Sequence, residues 1–206
     1  MVKEMRANMA ATFGGGAFTR VLAGGGALAA LAMALSLEVV AAPAPGAAGV
    51  PPVLLSAEHA KLCKVAVGDQ FPAIELPTLE GAATKVADLA KGKPTVVLFW
   101  SPDRWMSRAA LADVGKILAD KSGPSIAAVA IVEGPANEQV TKSIAESGAS
   151  IPQLADADGA AFAQVGEQAL PRIFVLDKAG RIVWFDIEFS EASRRELQQT
   201  LAALAK

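Results

Sequence analysis

The sequence contains very little of the two side chains that most often carry redox and metal chemistry. It has one cysteine and one histidine among 206 residues. One cysteine excludes an internal disulfide, a C-x-x-C pair and a zinc site built from several cysteines. One histidine argues equally against a histidine-rich metal centre, so we expect neither a metal nor another cofactor.

Charge of one sign is lacking as well. Nineteen lysines and arginines face 21 aspartates and glutamates, for a formal net charge of −2. This balance gives no support for a nucleic-acid partner, because such proteins carry a basic patch for the phosphates. With 52% hydrophobic and 19% charged residues, the composition excludes a largely disordered chain. The length suits one domain with an additional segment.

The first 44 residues differ in composition from the rest of the chain. Lys3 and Arg6 lie near the start, and apolar and small residues extend from 21 to 37. A positive lead followed by an apolar stretch is typical of an export signal. We therefore expect a signal segment over residues 1–44 and a periplasmic or other extracytoplasmic location.

An uncleaved signal anchor is the alternative for this segment. Residues 21–42 are about long enough to cross a bilayer, which takes roughly 20 apolar residues. Three glycines at 24–26 and the charge of Glu38 weaken a helix in lipid, so cleavage is favoured. In either case we expect contact with the membrane only through this segment.

Residues 45–66 are predicted to hold a linker and a short helix. The stretch over 43–52 is rich in proline, alanine and glycine, which is typical of a flexible tether. Ser56 can cap a helix over residues 57–64.

Residues 67–206 alternate between strand and helix patterns. The apolar, β-branched run Thr95–Trp100 predicts a strand buried on both faces, as in a parallel sheet. Ser, Pro and Asp at 101–103 suit the first positions of a helix that ends near Asp120. Further strands are predicted over 74–76, 126–132, 172–176 and 181–189, and further helices over 137–147, 160–165 and 191–205. The last two strands form an antiparallel hairpin, and the whole is an α/β domain of three layers with a mixed sheet.

Three segments carry a family resemblance. They are VGDQFPAIEL at 67–76, DLAKGKPTVVLFW at 88–100 and LPRIFVLDKAGRIV at 170–183. In this order they resemble the thioredoxin-like superfamily, closest to its redoxin branch of TlpA-like thiol-disulfide oxidoreductases and AhpC/TSA peroxiredoxins. The resemblance implies a thioredoxin-like fold and places the chain in an oxidoreductase class.

The catalytic motif of that family is not present. The family's oxidoreductases carry FWxxWCxxC after the central strand, whereas this chain has FWSPDRWMSR at 99–108. Arg104 and Ser107 therefore stand where the two cysteines would be, and no cysteine follows Pro102 as the peroxiredoxin pattern requires. Disulfide exchange needs a thiolate, stabilised at a helix N-terminus, and a second sulfur. We therefore predict that dithiol catalysis has been lost.

The residues around this motif are candidates for binding. Arg104 is expected to be an exposed cation, either without a partner or holding an anion at the helix start. Trp100 and Trp105 flank the motif, either as a core and a surface residue or as a docking patch for a protein partner. Pro171 matches the family's cis-proline, which implies a cis Leu170–Pro171 bond and a place for an extended peptide.

Two hypotheses about function follow. The preferred one is an exported redoxin-like binding or scaffold module that holds a protein or peptide at the face of Trp105 and Pro171. The other is a thiol-disulfide oxidoreductase or peroxiredoxin-like enzyme that uses Cys63, the only thiol, with a partner's thiol. Only Lys61 and Lys64 offer a positive charge near Cys63 along the chain.

Overall fold

The structure, a computed structural model, describes residues 48–120, 126–168 and 170–205. Within these ranges the helices are α1 (Ala57–Lys61), α2 (Val86–Ala90), α3 (Trp105–Asp120), α4 (Glu138–Ser147), α5 (Phe162–Val165) and α6 (Glu191–Leu204), and the strands are β1 (Glu75–Pro77), β2 (Ala83–Lys85), β3 (Thr95–Trp100), β4 (Ala127–Glu133), β5 (Gln153–Asp156), β6 (Arg172–Leu176) and β7 (Ile182–Asp186). None of these helices has both the length and the apolar character needed to cross a membrane. The signal or anchor segment predicted over residues 1–44 lies outside the described residues.

Five strands form the central sheet in the order β5-β4-β3-β6-β7. The central strand β3 runs parallel to β4 and antiparallel to β6. Outside these, β5 is parallel to β4 and β7 is antiparallel to β6. The predicted mixed sheet and C-terminal hairpin are therefore confirmed, and β1 and β2 pair in a separate two-stranded sheet.

Strand β3 is buried along its whole length and contributes to two hydrophobic clusters. Val96, Leu98 and Trp100 point to one face, where α3, α4 and α6 cover the sheet. Val97 and Phe99 point to the other, which α2, α5 and residues 71–74 cover. This alternation follows from the period of two in a strand. It confirms the predicted three-layer α/β fold.

Helix α3 begins later than the sequence predicts. We expected Ser, Pro and Asp at 101–103 to form its first positions, but the helix starts at Trp105. Residues 102 and 103 form a turn, which the backbone N–H of Arg104 closes by donating to Ser101 O at 3.3 Å. The same residue types favour turns and helix starts, so their order alone does not separate the two.

Strand β5 was not predicted. It has four residues, Gln153–Asp156, and this short segment contains no β-branched or aromatic side chain. The final residue of β5, Asp156, also supports the start of α5. Its carboxylate accepts hydrogen bonds from the N–H groups of Ala161 at 3.1 Å and Phe162 at 2.8 Å. A strand that depends on pairing with β4 leaves little signal in its own sequence.

Residues 48–56, which precede α1, pack against the domain. Val50 and Val53 contact the hydrophobic clusters, and Gln199 Nε2 donates to Gly49 O at 3.4 Å. Leu54 points outward and is 86% exposed. Composition predicts a tether over 43–52, of which residues 48–52 are described. In this described part, alternate apolar residues of an extended segment cover the domain surface as an edge strand does.

Two neighbouring substitutions test this packing. Val53→Ala should lower the free energy of unfolding by about 1 kcal/mol, since it removes methyl groups that contact both clusters. Leu54→Ala removes a larger but exposed group, and its effect should stay within about 0.5 kcal/mol. Urea unfolding followed by circular dichroism measures both, and equal effects would show that the segment does not pack as described.

Candidate functional site

The start of helix α3 is the position at which the family's catalytic motif would lie. Arg104 precedes the helix, and its carbonyl accepts the first helical hydrogen bond, from Arg108 N at 3.2 Å. Trp105, Met106 and Ser107 form the first turn. Their N–H groups have no preceding helical carbonyl, so this end carries a partial positive charge.

Ser107 lies on the inner side of this first turn. Its side chain is completely buried, and its hydroxyl has no hydrogen-bond partner among the described residues. A serine becomes a nucleophile only when a base removes its proton. With no acceptor in reach, Ser107 has no activating base. The chain's one histidine, His59, instead lies 3.7 Å from the Glu188 carboxylate.

Of the two residues at the positions of the missing cysteines, Arg104 is exposed and Ser107 is buried. Its side chain makes no hydrogen bond or ion pair with any described residue, whereas its neighbours are engaged. Asp103 Oδ1 accepts from Gln139 Nε2 at 2.8 Å, and Arg108 donates to Pro102 O. An unengaged guanidinium beside a helix N-terminus is available to an anion from outside.

The two tryptophans differ in exposure. Trp105 is 70% exposed, whereas Trp100 is fully buried and its indole N–H donates to Gln153 Oε1 at 3.1 Å. Trp100 therefore cannot belong to the predicted docking patch, because it points inward from β3 and is part of the core. Trp105 and Arg104 together form what we call the helix-start surface.

Pro171 lies at the same end of the sheet as the helix-start surface. The register pairs Phe99 with Arg172, which places Pro171 beside the end of β3. The Leu170–Pro171 bond is cis, as the resemblance implied. The proline itself is buried, so of the predicted binding residues only Trp105 is exposed at this end, next to Arg104.

Cys63 lies on the opposite face of the sheet from α3, where it packs beside the second hydrophobic cluster. It follows α1, is half-buried, and its backbone forms an antiparallel bridge with Gly166. The thiol donates to His59 O at 3.5 Å. This cysteine is therefore separate from the helix-start surface.

A buried arginine next to Cys63 was not anticipated from the sequence. Arg172 is fully buried, and its Nη1 lies 3.9 Å from Cys63 Sγ. Nη1 also donates to Leu62 O at 3.1 Å and to Val165 O at 3.2 Å, and Nη2 donates to Glu167 O at 3.3 Å. Every one of these partners is formally neutral, and Nε has no partner among the described atoms.

The lysines expected to act on Cys63 are engaged elsewhere. Lys61 pairs with Glu58 at 2.8 Å, and Lys64 pairs with Glu167 at 3.1 Å. The cation at the thiol is Arg172, more than one hundred residues away along the chain. The available signal was a charged residue at the start of the apolar strand RIFVL, a position usually assigned to the surface.

Burial and charge act on the Cys63 thiol in opposite directions. Burial raises the pKa of Cys63, and the positive charge and hydrogen bond of Arg172 oppose that rise without cancelling it. Burial also lowers the pKa of Arg172. The thiol is therefore mostly neutral at neutral pH, unlike the activated cysteines of thiol enzymes.

A cleft of the domain lies away from the helix-start surface. Within the described ranges, no group of three or more His, Cys, Asp or Glu side chains could hold a metal. A cleft of about 550 Å³ is lined by Phe71, Ile74, Thr95, Leu176 and others. Thr95 begins β3 and Leu176 ends β6, so the cleft lies at the opposite end of the sheet from Arg104.

One family model matches this chain, and many solved structures are similar to it. The model of the redoxin family matches residues 66–203. Comparison with curated proteins gives no match.

Three solved structures illustrate the similarity. A DsbE-type thiol:disulfide interchange protein from Chlorobium tepidum is 25% identical, with a TM-score of 0.60, over 68% of this chain and 99% of that one. A secreted disulfide oxidoreductase of Mycobacterium tuberculosis is 26% identical, with a TM-score of 0.56, over 64% and 96%. The peroxidoxin BcpB of the same organism is 21% identical, with a TM-score of 0.57, over 68% and 96%. The thioredoxin-like fold and the resemblance inferred from sequence are therefore confirmed.

The raised pKa of Cys63 predicts slow alkylation. Because the thiolate is the nucleophile, iodoacetamide should modify Cys63 more slowly at neutral pH than a free cysteine in a short peptide. The pH profile of the rate should have its inflection above that of the peptide, and in urea it should return to about 8.5. Lys64→Met is the control and should leave the profile unchanged; an inflection below that of the peptide would contradict the assignment.

Proposed function

Because the chain belongs to the redoxin family, whose model matches residues 66–203, we propose that it is a redoxin domain adapted to binding instead of dithiol exchange. The observation that supports this most is the start of α3. There the frame of an oxidoreductase presents Arg104 and a buried Ser107. Neither side chain can undergo thiol-disulfide chemistry.

The position of the lone thiol supports the same proposal. Cys63 packs on the face of the sheet opposite α3, so it does not replace either missing cysteine. A single thiol also lacks the second sulfur with which a dithiol site completes its cycle. The function that we propose for the helix-start surface is therefore binding of a partner.

The chemistry of the helix-start surface indicates the kind of partner. Trp105 offers a largely exposed indole, and exposed tryptophans are frequent at the centres of protein interfaces. Adjacent to it, Arg104 offers a cation at a positively polarised helix end. We infer that the partner is an extended peptide segment with an apolar side chain and a carboxylate.

An extracytoplasmic location forms part of the proposal. It is supported by the basic and apolar pattern of residues 1–44. The relative from Mycobacterium tuberculosis, at 26% identity, is a secreted protein. We propose that this chain is likewise exported, with residues 21–42 as its anchor should cleavage not occur.

A second candidate function is favoured by one contact. Arg172 Nη1 lies 3.9 Å from Cys63 Sγ, and a cation beside a thiol can support peroxide or disulfide chemistry. The raised pKa of Cys63 argues against rapid turnover. If this candidate were correct, Cys63→Ala would abolish peroxide or disulfide reductase activity in the wild-type background.

Restoring the missing sulfurs tests the loss of dithiol chemistry. The wild-type protein should reduce insulin no faster than a free thiol at equal concentration. The double variant R104C/S107C should gain reductase activity of at least about tenfold, because the helix N-terminus can stabilise the introduced thiolate. The single variants R104C and S107C are the matched controls and should remain inactive. Wild-type activity well above the free-thiol rate would overturn the proposal.

Titration with defined peptides tests the binding surface. Of the chain's three tryptophans, Trp100 and Trp184 are fully buried, so acrylamide quenching reports mainly on Trp105. The blocked peptide acetyl-Phe-Ala-Glu-amide should protect Trp105 more strongly than its Gln counterpart. Arg104→Gln should abolish that preference, because it removes the cation that meets the carboxylate.

Two further variants control for general stickiness. Trp105→Ala should weaken binding of both peptides, measured by calorimetry, while Leu54→Ala removes another exposed apolar side chain and should leave binding unchanged. Equal loss in both variants, or equal affinity for the two peptides, would show that the helix-start surface is not the recognition site.

A further inference from the structure

We propose that Cys63 is an oxidation site at which a peroxide converts the thiol to a sulfinate, and that Arg172 binds the resulting oxyanion. The proposal rests on the contact between these two side chains and is independent of peptide binding at the helix-start surface. It concerns a modification of the protein, without catalytic turnover.

The guanidinium of Arg172 lacks an anion. It is fully buried, yet no carboxylate of the described residues lies within ion-pair distance of it, and Nε is without a partner. Three backbone carbonyls and the ring of Phe162, 5.3 Å away, surround it. Dipoles and a ring offset a buried charge less well than an anion does.

Space for this guanidinium is specifically maintained. A Cβ atom at Gly166 would lie 1.6 Å from Arg172 Nη1 and 2.7 Å from the backbone oxygen of Leu62, so any side chain there would displace the guanidinium or the backbone. The same glycine forms the backbone bridge to Cys63. The chain therefore holds the charge and the thiol against each other.

Two carboxylates on neighbouring segments do not serve as a counter-ion for Arg172. The carboxylate of Glu167 pairs with Lys64 at 3.1 Å, and that of Glu188 lies 3.7 Å from His59. Among the described side chains, the sulfur of Cys63 is thus the atom at which a negative charge could arise beside Arg172.

The distance suits an oxidised sulfur better than a thiol. At 3.9 Å from Nη1, Cys63 Sγ makes a weak contact. An oxygen bonded to that sulfur can reach the guanidinium at about 2.7–2.9 Å, the usual length of a charge-assisted hydrogen bond.

The chemistry needs a hydroperoxide as oxidant. The thiol first loses its proton, and the thiolate attacks one peroxide oxygen, so that an S–O bond forms as the O–O bond breaks. The proton from the thiol goes to the leaving oxygen, and the products are sulfenic acid and water or an alcohol. A second equivalent oxidises the sulfenic acid to sulfinate, with release of a proton and another water or alcohol. Each step removes two electrons from sulfur and gives them to the peroxide.

The expected consequence is a more stable fold after oxidation. Cys63 belongs to the segment between α1 and the first strand, whereas Arg172 begins β6. An ion pair between them ties that segment to the central sheet. Oxidation would then act as a lasting mark of peroxide exposure, since sulfinate is not reversed by ordinary thiols.

Peroxide treatment of the full-length protein provides the first test. Hydrogen peroxide should add two oxygen atoms, about 32 Da, at Cys63, and the melting temperature should rise by about 3 °C or more. In Cys63→Ser, peroxide should leave the melting temperature unchanged. If Cys63 is not converted to the sulfinate even after prolonged exposure to excess peroxide, or if oxidation lowers the melting temperature, the proposal is wrong.

A matched pair of variants tests the charge without any oxidation. Cys63→Asp and Cys63→Asn have side chains of nearly equal size, and only the first carries a negative charge. The Asp variant should melt about 3 °C or more above the Asn variant. Equal melting temperatures, or a lower one for the Asp variant, would show that Arg172 does not hold an anion at this position. Neither result depends on whether peptides bind at Trp105.

Discussion

The double-sided burial of β3 is the constraint on which the other features of this domain depend. Six consecutive buried residues need cover on both faces, and the two clusters that supply it draw on nearly every other element. The strand also pairs with β4 on one side and β6 on the other. Its end therefore fixes where α3 begins and where Pro171 lies. Arg104 and Trp105 owe their exposed positions to this arrangement.

The same fold can support different functions because the partial positive charge at the start of α3 does not depend on a cysteine. A helix N-terminus polarises whatever group lies next to it. With a cysteine there, the effect stabilises a thiolate; with Arg104 at the surface, it would stabilise a negatively charged group of the proposed peptide partner. Ser107, buried without an acceptor, keeps the packing of the inner position but cannot attack a substrate. Family membership thus describes the frame, and the residues at the helix start determine the chemistry.

Features with a local cause could be predicted from the sequence, and those that depend on distant parts could not. The apolar run of β3 and the hairpin of β6 and β7 follow from composition and turn spacing, and both are present. Of the two interpretations of the tryptophans, the one with Trp100 in the core agrees with the structure, since the alternation of β3 places it on the same face as Val96 and Leu98. By contrast, β5 exists only through its pairing with β4. Arg172 meets Cys63 because β6 and the segment after α1 come together in the fold, and no local pattern reports that contact.

At Cys63, the reactivity of the thiol and the stability of its oxidised form depend on the surroundings in different ways. Burial disfavours the thiolate, so the first oxidation step is slow despite the adjacent guanidinium. The same burial surrounds Arg172 with backbone carbonyls and no carboxylate of the described residues, and a buried charge without a counter-ion is costly. A sulfinate is ionised at any physiological pH, and its charge would offset one already present. An environment that hinders attack by the thiol can therefore still favour the oxidised state once it has formed, as the proposed oxidation site requires.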